Sequence, residues 1–322
     1  MPLTAPLSGL LPFSLPARLF LVAALSIVIA GCQAMPSAAP AHIDVHAQPN
    51  GIAVRPNDGA IFITDDRANA ILWSRDHATF APYASVPVVP GQPNSLGQVA
   101  VVPSGALLVA RFGFGDRGAL FISMSPGDAQ PLTGLAPERR RLGLASIGPG
   151  RVLSSWFVKA ASEPLIGGVS LVSYDSATHA ASERDLIAGL TKPVGIAVSG
   201  DALLVADQDR NTILSFGLAD SLAARTPVAA SSGTVFARVE HPDLLAVDQT
   251  GTLYTKCGAA GFCRIATDGT VTPVADGFQN ARGVAVDDVH HALYIVDRAR
   301  PSSATGSAIR VLPLPDTIAP PR

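Results

Sequence analysis

Six copies of one pattern run along this chain, and their spacing constrains the fold more than any other feature. Each copy has a short apolar run, a turn containing Gly or polar residues, and a second apolar run that ends on a polar residue. The turn residues before the first runs are Gly51, Gly97, Gly143, Gly195, Leu244 and Gly283. The steps between them are 46, 46, 52, 49 and 39 residues. Periods of this length are typical of repeat architectures.

The two apolar runs of each copy have the length and composition of buried β-strands. The runs at 51–54 and 60–64 are nearly continuous in apolar residues, which is typical of strands covered on both faces. A third run and a more polar fourth run follow in most copies, and no segment has a convincing helical period. Four strands in each of six units predict an all-β, six-bladed β-propeller with four-stranded antiparallel blades.

The sixth copy lacks a fourth strand of its own. Residues 42–46 near the N-terminus alternate polar and apolar side chains and can fill that place. We therefore expect an N-terminal strand to close the ring, because closure removes the exposed edges of an open sheet. One propeller is predicted over residues 42–314, followed by a Pro-rich tail at 315–322.

The N-terminus has the layout of an export signal. Arg18 is followed by a largely apolar segment of twelve residues, which is too short for a comfortable membrane span. Its Ala-Gly-Cys ending resembles a bacterial lipobox, which predicts a lipoprotein signal peptide over 1–32, lipidation at Cys32 and a tether over 33–41. The alternative is a cleaved signal with an incidental cysteine. Gln33 resembles the sorting residue of outer-membrane lipoproteins, so we expect a chain that faces the periplasm.

The two remaining cysteines, Cys257 and Cys263, enclose five residues. Paired thiols of exported proteins tend to form disulfides. A redox-active or metal-binding pair is the alternative, but CxxC spacing is the usual mark of such pairs. We predict a structural disulfide.

The charge balance excludes one class of partner. Charged residues make up 15% of the chain. Apart from Arg18, 22 basic residues face 25 acidic residues, a net charge of −3. Nucleic-acid binding needs a basic footprint, so we expect no nucleic-acid partner. Membrane contact is expected through the lipid anchor only, and we expect a monomer.

Two copies resemble the NHL repeat, in which a Pro-x-Gly entry leads to two strands and an Asp with a following Asn. Asp65 with Asn69 and Asp207 with Asn211 stand in those places, and Asp297 matches the Asp alone. Such side chains bond nearby backbone amides and tolerate left-handed turns. The local interpretation is that they hold the hairpin between the second and third strands.

The broader group of six-bladed propellers includes the gluconolactonase-like family, which holds one divalent metal over the central channel. Resemblance to that family implies a metal-dependent lactone or ester hydrolase that uses one divalent cation (Ca²⁺, Zn²⁺ or Mn²⁺). Asp243 and Asn50 occupy entry positions comparable to its metal ligands, and Asp207 is the candidate base. Val194 stands where a further ligand is wanted. Arg282 places a cation at the same mouth, where it competes with a metal ion.

One rim of the predicted ring collects polar side chains. Because strands alternate in direction, the entry loops and the hairpins between second and third strands lie on this rim. It carries the candidate ligand-binding residues Asn50, Asp65, Arg111, Trp156, Lys159, Lys256, Arg282 and Asp297. Convergent polar groups on a concave face are typical of binding sites, although surface loops are polar without any function. The leading hypothesis is a binding or sensing module for a small polar molecule or a protein, and the hydrolase is the alternative.

Residues 113–118 satisfy the GxGxxG pattern. A dinucleotide fingerprint needs a helix after the glycines, whereas another apolar strand follows at 119–123. We therefore predict a glycine-rich hairpin loop and no dinucleotide.

Overall fold

Six β-sheets stand around a central channel in a computed structural model, which describes residues 41–159 and 164–314. Residues 1–32, with Cys32, most of the tether and the Pro-rich tail lie outside the described residues. The first strands of successive blades contact each other in a closed ring. The prediction of an all-β, six-bladed β-propeller is confirmed.

The first half of the chain forms the closing strand and three blades. The closing strand is β1, Ala41–Val45. Blade 1 contains β2 Pro49–Val54, β3 Ile61–Asp65, β4 Ala70–Ser74 and β5 Ala81–Ser85. The next segment forms β6 Leu96–Val101, β7 Leu107–Arg111, β8 Ala119–Ser123, β9 Gly127–Asp128 and β10 Gln130–Pro131. Blade 3 contains β11 Arg140–Gly148, β12 Arg151–Val158, β13 Ile166–Tyr174 and β14 Ala181–Leu190.

The second half forms the other three blades. The fourth repeat contains β15 Pro193–Ser199, β16 Ala202–Asp207, β17 Thr212–Gly217, the helix α1 Leu218–Ala223, β18 Val228–Ala229 and β19 Thr234–Arg238. Blade 5 contains β20 Ala246–Val247, β21 Leu253–Cys257, β22 Gly261–Ile265 and β23 Val271–Ala275. Blade 6 contains β24 Ala281–Asp287, β25 Ala292–Asp297 and β26 Ser307–Pro313. Two 3-10 turns span Gln208–Arg210 and Ala230–Ser232. Within the described ranges, no helix has the length and hydropathy that a membrane span requires.

Two blades carry a fifth strand that the sequence did not predict. β9 pairs in parallel with β5 of blade 1, and β18 pairs in parallel with β14 of blade 3. In the chain, β9 follows β8 of the second repeat, and β18 follows β17 and α1 of the fourth repeat. They therefore join neighbouring blades at their outer edges, where a four-stranded blade would leave unpaired backbone groups.

The predicted ring closure is present in blade 6. β1 pairs antiparallel with β26, from Ala41 opposite Val311 to Val45 opposite Ser307. Ile43 and Val45 are buried and the alternate residues of β1 are exposed, as the period of a strand with one covered face requires.

The core lies between blades, and close packing of the innermost strands explains the repeated glycines. A Cβ on Gly195 would overlap the carbonyl oxygen of Asp243 in the next blade, and one on Gly283 would overlap that of Asn50. Outside this ring, apolar side chains from adjacent sheets pack together. Phe62 of blade 1 and Phe121 of blade 2, for example, belong to the same apolar cluster. The turn glycines are therefore a requirement of blade-to-blade contact in five repeats, and the fifth repeat has Leu244 at this place.

Candidate functional site

The loop-rich face of the ring opens into a cavity of about 280 Å³ at the end of the central channel. All six repeats contribute to its wall. We call this cavity the mouth, and its lining residues are Asn50, Ser95, Gly97, Phe112, Phe114, Leu142, Lys192, Val194, Gln208, Asp243, Leu244 and Arg282. The polar trio of Asp243, Arg282 and Asn50 comes from adjacent blades 5, 6 and 1, and most of the apolar residues come from blades 2 to 4.

Arg282 holds the two predicted metal ligands together. Its Nε donates to Oδ1 of Asn50 at 3.1 Å, and its Nη1 donates to Oδ2 of Asp243 at 2.9 Å. One third of the Arg282 side chain is exposed, whereas the Asp243 side chain is 6% exposed. Charge-assisted bonds of this kind are stronger than neutral ones. The guanidinium therefore links blades 5, 6 and 1 at the mouth.

The orientation of Asn50 is fixed from its other side. The Asn50 amide nitrogen donates to the Leu96 carbonyl at 2.8 Å and to Oδ2 of Asp66 at 3.2 Å. Asp66 also accepts from Nη1 of Arg298 and from the Leu96 N–H, both at 2.6 Å. Burial raises the pKa of Asp66, and the Leu96 N–H and Arg298 oppose that shift. With its nitrogen committed in this way, Asn50 presents its oxygen to Arg282.

The predicted metal site does not fit these contacts. The Asn50 and Asp243 oxygens that would face a cation accept hydrogen bonds from Arg282, and the second Asp243 oxygen accepts the Leu244 N–H at 3.0 Å. Within 41–159 and 164–314, no three His, Cys, Asp or Glu side chains are placed to hold a metal ion. A hard divalent ion needs several oxygen ligands. Val194 contributes an apolar side chain where a further ligand was wanted.

Positive charge accumulates beside the mouth. Lys256 is half-buried at the end of β21, and no hydrogen bond or ion pair of its ammonium group occurs within the described part of the chain. Burial lowers the pKa of Lys256; Asp243 opposes this effect, while Arg282, Arg300 and Lys192 add to it by repulsion. The hydroxyl of the preceding residue, Thr255, accepts the Asp243 N–H at 3.2 Å, so Lys256 follows directly on a residue that contacts the mouth.

All three lysines of the chain lie on the loop-rich face. Lys159 follows β12 and is exposed. Lys192 lines the mouth, and its Nζ lies 3.6 Å from Oδ1 of Asp209, with both side chains substantially exposed. Exposed pairs at this distance are weak, so Lys192 remains available to another anion.

An aromatic cluster forms the opposite part of the wall. The Phe112 and Phe114 rings lie 5.1 Å apart in a tilted edge-to-face contact, and Phe157 packs on Phe112 at 5.6 Å. Arg140 covers Phe112 at 5.1 Å. Phe114 belongs to the glycine-rich loop at 113–118, which is a hairpin connection followed by β8. Sequence reasoning missed both mouth phenylalanines, although aromatic residues flanking the flexible glycine of a rim hairpin were the available signal.

The three Asp residues at NHL-repeat positions accept hydrogen bonds from backbone N–H groups. Each accepts N–H groups from the segment that leads into the first strand of its own blade, at 2.7 Å for Asp65, 2.8 and 3.0 Å for Asp207, and 2.8 and 3.1 Å for Asp297. Asn69 and Asn211 have left-handed φ values of 50° and 55°. Asp207 is 0% exposed, so its carboxylate is placed for structure and not as a base at the mouth. These bonds reach the entry segment, which sequence reasoning did not predict.

Two other predicted rim residues, Trp156 and Arg111, form hydrogen bonds within the protein outside the mouth. Trp156 is buried, and its indole N–H donates to the Ser170 hydroxyl at 2.7 Å, so the ring is not available to stack on a ligand. Arg111 donates to the Arg117 and Pro87 carbonyls at 2.8 and 3.0 Å. Of the predicted rim, the structure brings Asn50 and Arg282 into the mouth, with Lys256 beside it.

Cys257 and Cys263 form a disulfide across the β21–β22 hairpin, with a Cα–Cα distance of 5.8 Å. This bond lies directly after Lys256. It restrains the loop that follows the β21 end, where that lysine is located.

No protein-family model and no curated protein matches this chain. Solved structures of similar fold include a gluconolactonase from Xanthomonas campestris (19% identity, 85% of this chain and 88% of that chain, TM-score 0.62). They also include the calcium-binding protein regucalcin from Agrobacterium tumefaciens (15%, 85% and 90%, 0.61) and a virginiamycin B lyase from Staphylococcus aureus (12%, 85% and 98%, 0.56). The fold is that of the gluconolactonase and regucalcin propellers. At these identities the likeness concerns the fold.

Proposed function

We propose that this propeller binds a small molecule at the mouth and does so without a divalent cation. One observation carries the proposal: Arg282 donates to the same Asn50 and Asp243 oxygens that a metal ion would need. The cavity of about 280 Å³ lies near the lower limit of small-molecule sites. Its apolar wall and few oriented polar groups have the composition of a binding pocket.

The second candidate is the metal-dependent lactone hydrolase. The fold likeness to a gluconolactonase favours it. The Arg282 contacts oppose it, because a fixed guanidinium repels a divalent cation. Asp207 supplies no base for such an enzyme, since both its oxygens hold backbone N–H groups.

We also propose that the propeller is exported, anchored through lipid at Cys32 and turned towards the periplasm from the outer membrane. The signal-like N-terminus and Gln33 support this location. We propose the loop-rich face as the binding surface for a protein partner as well. We expect the protein to be a monomer.

The first experiment is metal analysis of the full chain, purified without chelator, combined with melting curves before and after EDTA. We expect substoichiometric metal and an unchanged melting temperature. Stoichiometric calcium, zinc or manganese, with a lower melting temperature after EDTA, would favour the hydrolase instead.

Binding at the mouth is tested separately by thermal shift with a mixed panel of small acids, amines and neutral amides. Leu142→Trp adds an indole to the wall of the mouth, and Val289→Trp adds the same group to an exposed turn of blade 6 on the other face. We expect at least one compound to stabilise the unmodified chain and the Val289 variant but not the Leu142 variant. If no compound distinguishes the two variants, small-molecule binding at the mouth is wrong.

A further inference from the structure

We infer that the ligand of the mouth is an organic monoanion, a carboxylate joined to a flat apolar group. This inference rests on the proposed function and names its ligand class. Three features of the mouth support it: the charge beside the cavity, the free donors of Arg282 and the aromatic wall.

The charge beside the mouth does not balance. The Arg282 guanidinium is paired with Asp243 at 2.9 Å, and Lys192 lies near Asp209 at 3.6 Å. Within the described ranges, Lys256 has no carboxylate partner, and neither has Arg140, whose guanidinium lies 5.1 Å from the Phe112 ring. After these two pairs are formed, a positive charge remains beside the cavity, and burial weakens its solvation. A negative charge on a ligand would offset it.

Arg282 has donor capacity that the protein does not use. Its Nε and Nη1 are bonded to Asn50 and Asp243, but Nη2 has no hydrogen-bond partner among the described residues. The first two bonds fix the plane of the guanidinium. A rigid guanidinium with free N–H groups is well suited to a carboxylate.

The apolar wall selects the rest of the ligand. Phe112 and Phe114 line the mouth, and Leu142, Val194 and Leu244 complete the apolar lining. Aromatic rings pack well in offset or edge-to-face contacts with other rings. Inorganic phosphate, or a phosphate ester of a polar alcohol, would leave this surface without a partner, while an organic cation would meet Lys256 and Arg282.

Four probes of similar construction separate these contributions. Phenylacetate carries the charge and the ring, phenylacetamide is its neutral analogue, 2-phenylethylamine carries the opposite charge, and acetate lacks the ring. Calorimetric titration of the full chain at low salt is expected to show phenylacetate binding most tightly. Loss of one charged hydrogen bond corresponds to about ten-fold or more in affinity, so phenylacetamide should bind at least that much more weakly. Added NaCl should weaken phenylacetate binding.

Single variants locate the charge recognition. Lys256→Met should weaken phenylacetate binding by about ten-fold and leave phenylacetamide binding unchanged. Lys192→Met gives an independent test on a second residue beside the cavity. Arg225→Gln removes an exposed cation that follows α1, away from the mouth, and should have no effect.

The inference is overturned if phenylacetate fails to bind, if phenylacetamide or 2-phenylethylamine binds equally well, or if Lys256→Met and Lys192→Met leave the preference intact. A neutral or cationic compound whose binding is lost in the Leu142→Trp variant would overturn the anion inference and keep the proposed function. If no compound of any class depends on the mouth, both fail.

Discussion

Replacing Arg282 with Gln tests whether the guanidinium stands in for a cation at the mouth. The change removes the positive charge and both donors to Asn50 and Asp243. Asp243 keeps only the Leu244 N–H as a partner for its oxygens. A carboxylate that is 6% exposed is then left without its counter-charge.

The expected cost follows from the burial of the pair. Removing one partner of a buried ion pair costs about 3–5 kcal/mol, and exposed pairs contribute about 0–1 kcal/mol. One third of the Arg282 side chain is exposed, so the pair lies between these limits. We expect the free energy of unfolding to fall by about 2 kcal/mol, equivalent to about 4–8 °C in melting temperature.

The decisive measurement is the change in melting temperature when calcium is added. Once Arg282 is removed, the freed oxygens of Asn50 and Asp243 can accept a cation, and millimolar CaCl₂ should recover part of the lost melting temperature. The unmodified chain should not respond. Asp243→Asn combined with Arg282→Gln should be less destabilised than the sum of the single variants, because the carboxylate no longer lacks a partner, and should ignore calcium.

Two results would refute this reasoning. One is an Arg282→Gln variant that melts like the unmodified chain. The other is a calcium response of equal size in the unmodified chain, since its Asn50 and Asp243 oxygens would then be free to bind the ion.

Three further predictions concern the framework of the site. Asp207→Asn should lower the free energy of unfolding in urea by about 1–3 kcal/mol, because one loop N–H loses its acceptor, and should leave ligand binding at the mouth unchanged; lost binding would contradict its structural role. Replacing Cys257 and Cys263 with Ser should cost about 2 kcal/mol at most, since the closed loop is short, and an unfolded variant would contradict this. Glu183 of β14 accepts from Nη2 of Arg141 at 2.8 Å and from Nη1 of Arg139 at 3.0 Å. Burial raises the pKa of Glu183, but Arg141 and neighbouring donors lower it overall, below 4.5. The stability that Glu183 contributes is therefore complete above this pH and is lost as the pH falls through its lowered pKa, so acid titration of Glu183→Gln should show a shallower decline than the unmodified chain.

The ring could be predicted because its local rules repeat. Turn glycines such as Gly195 and Gly283 mark where innermost strands touch, and the polar–apolar alternation of 42–46 identified the closing strand. The two-residue strands β9 and β18 could not be predicted, because strands of that length carry no period and depend on the edge of the neighbouring blade.

The sequence predicted where the site residues lie, but it did not predict their hydrogen-bond partners. Alignment of the repeats placed Asn50, Asp243 and Arg282 at one mouth, but their bonds join residues up to 232 positions apart and require the closed ring. Trp156 was misplaced because its side-chain direction depends on packing. Gly168 has no Cβ, and the indole lies over it. A register shift between β11 and β12 near that point also breaks the simple alternation.

The pairing of β1 with β26 determines on which side of the ring the two ends of the described propeller lie. β26 leaves the mouth side at Ser307, and Ala41 lies opposite Val311 near its far end. Both ends of the described ring therefore emerge from the side away from the cavity. A bead, a chip surface or a carrier joined to the ring at Ala41 or Leu314 leaves the cavity facing the solution, so immobilised protein can be supplied with ligand without obstruction.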